Sequence, residues 1–122
     1  MKANHIFPML ETENLEQTIE FYTQFLSFEC RDVYPEENPC WASLWNGTCE
    51  IAFGLPNAHT KFERSLLTGS IYLVVENVEE IWQKLKDRVE IVYPLEDMAY
   101  GMREFGIRDG NGYILNLGQN IE

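Results

Sequence analysis

The sequence predicts an α+β fold of two βαβββ modules, each a curved mixed β-sheet cup with its helix on the outer face. Three observations predict it. Two helix starts of similar spelling, Glu13-Asn14-Leu15-Glu16 and Glu76-Asn77-Val78-Glu79, lie about half a chain length apart. A strand-like run precedes each start, and strand-like runs separated by turn signals follow it. A length of 122 residues with 45% hydrophobic content suits one domain, 1–122, with repeat halves at about 1–56 and 68–122.

In the first half, residues near 5 to 11 read as a strand. Asn14 then caps a helix running to about Ser27, with Gln17 completing a capping box. Leu15, Ile19, Tyr22 and Leu26 recur at helical spacing with Phe21 and Phe25 beside them, so one broad face is apolar and must lie on a sheet. Strands near 28 to 34, 41 to 46 and 49 to 55 follow, the last two joined at Asn46-Gly47. Pro56 to Leu67 reads as the connection between halves. In the second half a strand near 69 to 75 precedes a helix capped by Asn77, with Glu80 three residues on and Val78, Ile81, Trp82 and Leu85 as its buried stripe. Strands near 90 to 93, 102 to 108 and 113 to 118 complete it, and Asp109-Gly110-Asn111-Gly112 turns between the last two.

Charge narrows the partners. Twenty acidic against nine basic side chains leave a net charge of -11, which repels nucleic acid and anionic membranes and favours a cationic or neutral ligand. Cys30, Cys40 and Cys49 form an odd set with no Cys-x-x-Cys pair, so neither a disulfide framework nor a thiolate zinc site is suggested. With no run resembling a signal or membrane segment, the expected compartment is the cytoplasm. Sixteen aromatic residues are generous for this length and suit a binding surface as well as a core.

Two segments carry a family resemblance. Asn14-Leu15-Glu16-Gln17-Thr18-Ile19-Glu20-Phe21-Tyr22, running to Leu26-Ser27-Phe28-Glu29, is similar to a helix that ends in Leu-Gly-Phe. Tyr100-Gly101-Met102-Arg103-Glu104-Phe105, running to Asp109-Gly110-Asn111-Gly112-Tyr113, resembles an aromatic-Gly-x-Arg-Glu-Phe signature. The chain thus resembles the superfamily of glyoxalase I, extradiol dioxygenases, fosfomycin-resistance enzymes and bleomycin-resistance proteins, and most of all its bleomycin-resistance-like branch. The resemblance implies paired sheet cups and a homodimer with pockets at its interface. It also implies exchange of the first strand between subunits, with a proline in that strand where Pro8 stands.

Enzymes of that superfamily place metal ligands on the first and last strands of each half, because a divalent ion needs several convergent N or O donors. The corresponding positions are Phe7, Glu50, Ser70 and Asn116. Only Glu50 is an ordinary ligand, so no metal and no other cofactor is expected, and glyoxalase, dioxygenase and fosfomycin-modifying activities are disfavoured together. His5, two residues from the expected position, and His59, in the connection, are expected to be exposed or structural; a register slip would turn His5 inward.

Strand alternation sorts the remaining side chains. Glu50, Ala52 and Gly54 share one face while Ile51 and Phe53 take the other, and Trp41, Ser43 and Trp45 oppose Ala42 and Leu44. Tyr72 faces the cup with Ser70 and Val74, as does Asn116 with Ile114. Tyr100, Met102 and Glu104 share a parity opposite Arg103, which is expected to form a buried ion pair with an acidic neighbour such as Asp109. The expected ligand-binding set is therefore Trp41, Trp45, Tyr72, Tyr100 and Met102 with Glu50, Glu104 and Asn116 as polar handles. The alternative is that the tryptophans serve dimer contacts or lid packing. The leading function is metal-independent binding and sequestration of a small amphipathic, cationic or neutral compound. The alternatives are a glyoxalase-like lyase, isomerase or transferase using Glu50, with or without a metal recruited through His5, and an interaction module whose aromatic face pairs with a protein.

Overall fold

Residues 1–57 and 66–122 are described by the structure, a computed structural model. The predicted connection and His59 therefore fall largely or wholly outside the described residues. The chain divides into two compact units, Met1–Ser65 and Leu66–Glu122. Among the described residues each contains a four-stranded mixed sheet and one helix, which bears out the α+β class and the βαβββ order.

The first unit runs β1 (Met9–Glu11), α1 (Leu15–Phe25), β2 (Glu29–Tyr34), β3 (Trp41–Asn46) and β4 (Cys49–Gly54). Its sheet order is β1-β4-β3-β2, with β1 parallel to β4 and the other pairs antiparallel. Ladder pairing starts only at Met9, later than the strand expected from residue 5. Asn14 caps α1 as predicted, its Oδ1 accepting from the Gln17 N–H at 3.0 Å. Tyr22, Leu44, Phe53 and Ala42 are fully or almost fully buried between α1 and the sheet, with Tyr22 and Phe53 rings 5.0 Å apart. Each large ring so buried contributes about 1.5–3 kcal/mol.

The helix stops at Phe25 because Ser27 turns into the left-handed region at φ 58°. That conformation lets the Phe28 N–H close on the Tyr22 carbonyl at 3.0 Å, while Asn46 Nδ2 donates to the Leu26 carbonyl. A side chain at this φ is strained, so Ser27→Gly is expected to stabilise the protein by about 0.5 kcal/mol. A rise in Tm of about 2 °C on thermal melting would show it.

The second unit runs β5 (Ile71–Val74), α2 (Val78–Leu85), β6 (Glu90–Asp97), β7 (Met102–Arg108) and β8 (Ile114–Asn120). Its order is β5-β8-β7-β6, again with the first strand parallel to the last. β6 continues beyond the predicted end at residue 93. Pro94 is tolerated because β6 is an edge strand with register shifts between Tyr93 and Glu96. Phe105, Ile107, Leu115 and Leu117 form the helix-facing core, and Trp82 meets Phe105 edge-on at 5.2 Å.

Two sequence expectations are corrected here. Asn77 does not cap α2 through its side chain: it sits in the left-handed region at φ 56°, and the Val78 N–H is instead satisfied by Gln119 Oε1 of β8 at 2.9 Å. Gln119→Ala is therefore expected to cost about 1 kcal/mol, whereas Glu80→Ala, which removes an exposed pair with Lys84, costs under about 0.5 kcal/mol; urea melts compare the two. Arg103 does not pair with Asp109 and is not deeply buried. It forms an exposed pair with Asp97, Nε to Oδ1 at 2.6 Å, and approaches Glu79 of α2 at 3.8 Å. Asp109 instead accepts from the Asn111 and Tyr113 N–H groups and shapes the β7–β8 turn.

Candidate functional site

In the first unit the antiparallel register sets Trp41 opposite Gly54, Ser43 opposite Ala52, and Trp45 opposite Glu50. These six residues share the sheet face away from α1, as strand alternation requires. Glu50 keeps only 7% of its side chain exposed. Its Oε2 accepts from Ser43 Oγ at 2.6 Å, and Ser43 Oγ in turn accepts from Trp45 Nε1 at 2.8 Å. Its Oε1 meets His5 Nε2 at 2.7 Å. The His5 ring lies parallel to Trp45, with centroids 5.4 Å apart and an interplanar angle of 1°. The Arg31 guanidinium lies 5.0 Å from the Trp45 ring centroid, within cation–π range.

His5 is exposed, as expected, and in addition engages Glu50, a contact the sequence did not announce. Residues 5 and 7 share strand parity, and His5 and Phe7 rings are 5.5 Å apart, but no strand pairing at residue 5 marked it in advance. Trp41 is half-buried on the same face, and Gly54 comes close to its ring.

In the second unit the rows run Tyr72, Asn116, Gly106, Tyr93 and then Val74, Gly118, Glu104, Glu96 across the sheet. Glu104 is only 2% exposed. Its carboxylate accepts from Tyr93 Oη at 2.6 Å and from Tyr100 Oη, while Asn116 Nδ2 donates to the Tyr93 oxygen at 2.7 Å. Burial first, and the carboxylate hydrogen bond second, push the Tyr93 phenol far above its ordinary range. The hydrogen bond to Glu104 is the main cause that pushes Tyr100 up to about 12. Burial and the nearby Glu104 charge raise Tyr72 as well.

Glu104, Tyr100 and Asn116 are therefore brought into one hydrogen-bonded network. Tyr72 stands beside it, half exposed, over Gly118. Met102 lies one row further along, opposite Asn120, and the Met98 N–H bonds its carbonyl. Tyr93 was missed, because its strand was read as ending there. A signal was present: glycines inside predicted strands mark places where a neighbour approaches closely, and Gly106 lies directly beneath the Tyr93 ring. Two surface depressions, about 550 Å³ along Cys30–Glu36 and about 340 Å³ beside Leu95 and Arg103, contain none of the predicted ligand-binding residues.

A family model described as the glyoxalase/bleomycin resistance protein/dioxygenase superfamily matches residues 2–117. The chain belongs to this superfamily. Among solved structures it is similar to TioX from Micromonospora sp. ML1, with 18% identity over 97% of this chain and 99% of that one and a TM-score of 0.79. A superfamily member from Sphaerobacter thermophilus DSM 20745 shares 20% identity over 97% and 98%, with a TM-score of 0.78. Virulence protein STM3117 from Salmonella typhimurium shares 18% over 99% and 100%, with a TM-score of 0.73. At these identities the likeness establishes the fold alone. No curated protein sequence matches the chain.

The superfamily's enzymes imply a divalent metal, and the residues present do not fit one. In the first unit Phe7 has no donor atom, while Glu50 is committed to Ser43 and His5. In the second, Ser70 and Asn116 are weak neutral donors, and the Asn116 amide donates to Tyr93. Among the described residues no three His, Cys, Asp or Glu side chains converge as metal ligands. The exposed Tyr72 and Tyr100 rings and the half-buried Trp41 and Trp45 indoles instead offer stacking surfaces beside the two carboxylates.

Proposed function

We propose that this superfamily member binds and sequesters a small amphipathic, cationic or neutral compound without metal, in the manner of an antibiotic- or toxin-resistance protein. One observation carries the reading: each unit sets a nearly buried carboxylate among aromatic rings on the sheet face away from its helix. Glu50 lies with Trp45 and His5, and Glu104 with Tyr93 and Tyr100. Tyr72 and Tyr100 stay 43% and 63% exposed, so their rings remain open to a planar ligand. The chain's own Arg31 on Trp45 supports affinity of that indole for a cation. A net charge of -11 would speed capture of a positive ligand. A homodimer in which β1 stays paired with β4 of its own chain, as in the structure, without nucleic-acid or membrane partners, belongs to the same proposal, as does a cytoplasmic location. Among the described residues no helix is long and apolar enough to cross a membrane.

Proflavine, a planar aromatic cation, and bleomycin serve as probes in thermal melts of purified protein whose metal content has been measured by mass spectrometry. The expected result is a Tm that rises with probe concentration and a rise that shrinks as salt is added. Glu104→Gln should weaken the proflavine effect about tenfold. One observation favours a second reading: the His5–Glu50 hydrogen bond would suit a Glu50 general base in a lyase or isomerase. Stoichiometric zinc, nickel or manganese, or turnover of a 2-oxoaldehyde conjugate, would put that enzyme reading first.

A further inference from the structure

The N-terminal stretch before β1 reaches the candidate ligand face of the first unit, where His5 anchors it. Residues 1–6 are exposed, and Ile6 is turned almost wholly to solvent. The first backbone hydrogen bond described along the chain is from the Ala52 N–H to the Pro8 carbonyl. Upstream of it, the side-chain contacts described run through His5: a hydrogen bond to Glu50, a parallel stack on Trp45, and a tilted ring contact with Phe7. An exposed segment outside any ladder, anchored by a half-exposed imidazole, is readily released, since few backbone hydrogen bonds and little buried surface leave it with little local stability.

The chemistry of that anchor is also specific. An imidazole is a small planar heterocycle. Here it lies flat against an indole and brings a ring nitrogen to a carboxylate oxygen that is itself oriented by Ser43. The Trp45–Ser43–Glu50 chain fixes the position and direction of the acceptor before anything arrives. Whatever binds there must present the same two features, a flat π-face for Trp45 and an N–H pointed at Glu50 Oε1.

We propose that the first unit recognises planar nitrogen heterocycles bearing an N–H donor, and that His5 occupies this place as an internal competitor which the ligand displaces. The inference rests on the ligand-binding reading above and names the ligand class for one of its two carboxylates. The N-terminal stretch then acts as a strap: when the competent, open state is a minority, apparent affinity falls by that fraction. Removing the competitor restores it.

Benzimidazole tests this directly, with 1-methylbenzimidazole in mildly alkaline buffer as the matched probe that is planar but carries no N–H. Binding is followed by tryptophan fluorescence and by the NMR signals of the His5 ring. His5→Ala should bind benzimidazole about tenfold more tightly than wild type, Glu50→Gln in the His5→Ala background should lose that gain, and the methylated probe should bind at least about tenfold more weakly. In wild type, benzimidazole should move the His5 ring signals to those of a free histidine. Equal or weaker binding by His5→Ala would overturn the proposal, because His5 would then be part of the wall rather than a competitor. So would equal binding of the two probes. If neither probe binds while proflavine still stabilises the protein, the heterocycle assignment fails and the general ligand reading stands; if proflavine also fails, both fall.

Discussion

Glu104→Ala is expected to cost the second unit about 3 kcal/mol, because it strips the acceptor from two phenols at once and leaves a void at a 2% exposed position. Glu104→Gln keeps the shape and one acceptor oxygen and should cost about 1 kcal/mol. Urea unfolding of the three proteins would separate these values. The same network predicts an alkaline signature. Tyr93 and Tyr100 hold their protons more tightly in the folded protein than in the unfolded chain, Tyr100 up to about 12. The stabilisation they supply is therefore complete below the unfolded phenol value of about 10 and is lost as pH rises from there through the folded values. Tyrosinate absorbance should place Tyr72, Tyr93 and Tyr100 among the late-ionising phenols of the wild type, and Glu104→Gln should return Tyr100 toward its ordinary range. A Tyr100 titration left unchanged by Glu104→Gln would contradict the assignment to this network.

Gly106→Ala is the second large effect expected, about 2–3 kcal/mol. A Cβ on Gly106 would run into the Tyr93 ring, with Cδ1 at 2.8 Å and Cε1 nearer still. That ring cannot swing aside without breaking its hydrogen bonds to Glu104 and Asn116. Gly118→Ala is the instructive contrast. A Cβ there meets the far end of Tyr72, a half-exposed side chain that can turn outward into solvent at the loss of its contact with Glu104, so the cost should stay at about 1 kcal/mol. Paired thermal melts decide the matter: equal losses for the two alanines would mean that Tyr93 is not held as described.

The fold was legible because its signals are local. The helix face of Leu15, Tyr22 and Leu26, the alternation along β3 and β4, and the Asp109–Gly112 turn each follow from the period or chemistry of a short segment. The division of Glu50 from Ile51 and of Glu104 from Phe105 followed in the same way, since period-two alternation needs no knowledge of the partner strand. The Gln119 cap on α2 was not legible, because it joins residues distant in sequence. Arg103 was misplaced for a related reason: its parity was readable, but the reach of its long side chain to exposed Asp97 and Glu79 depends on how β6 and α2 lie beside it.

From the sequence alone come the two βαβββ modules, the superfamily resemblance, and the faces that Glu50, Trp45, Glu104 and Asn116 occupy. Only the tertiary structure decided what those side chains touch. His5 reaches Glu50 through a segment outside any ladder, and Tyr93 reaches Glu104 through an irregular edge strand over a glycine. Periodicity assigns a side chain to a face, but a hydrogen bond depends on distance and angle across strands, and those are set only when the strands are in register.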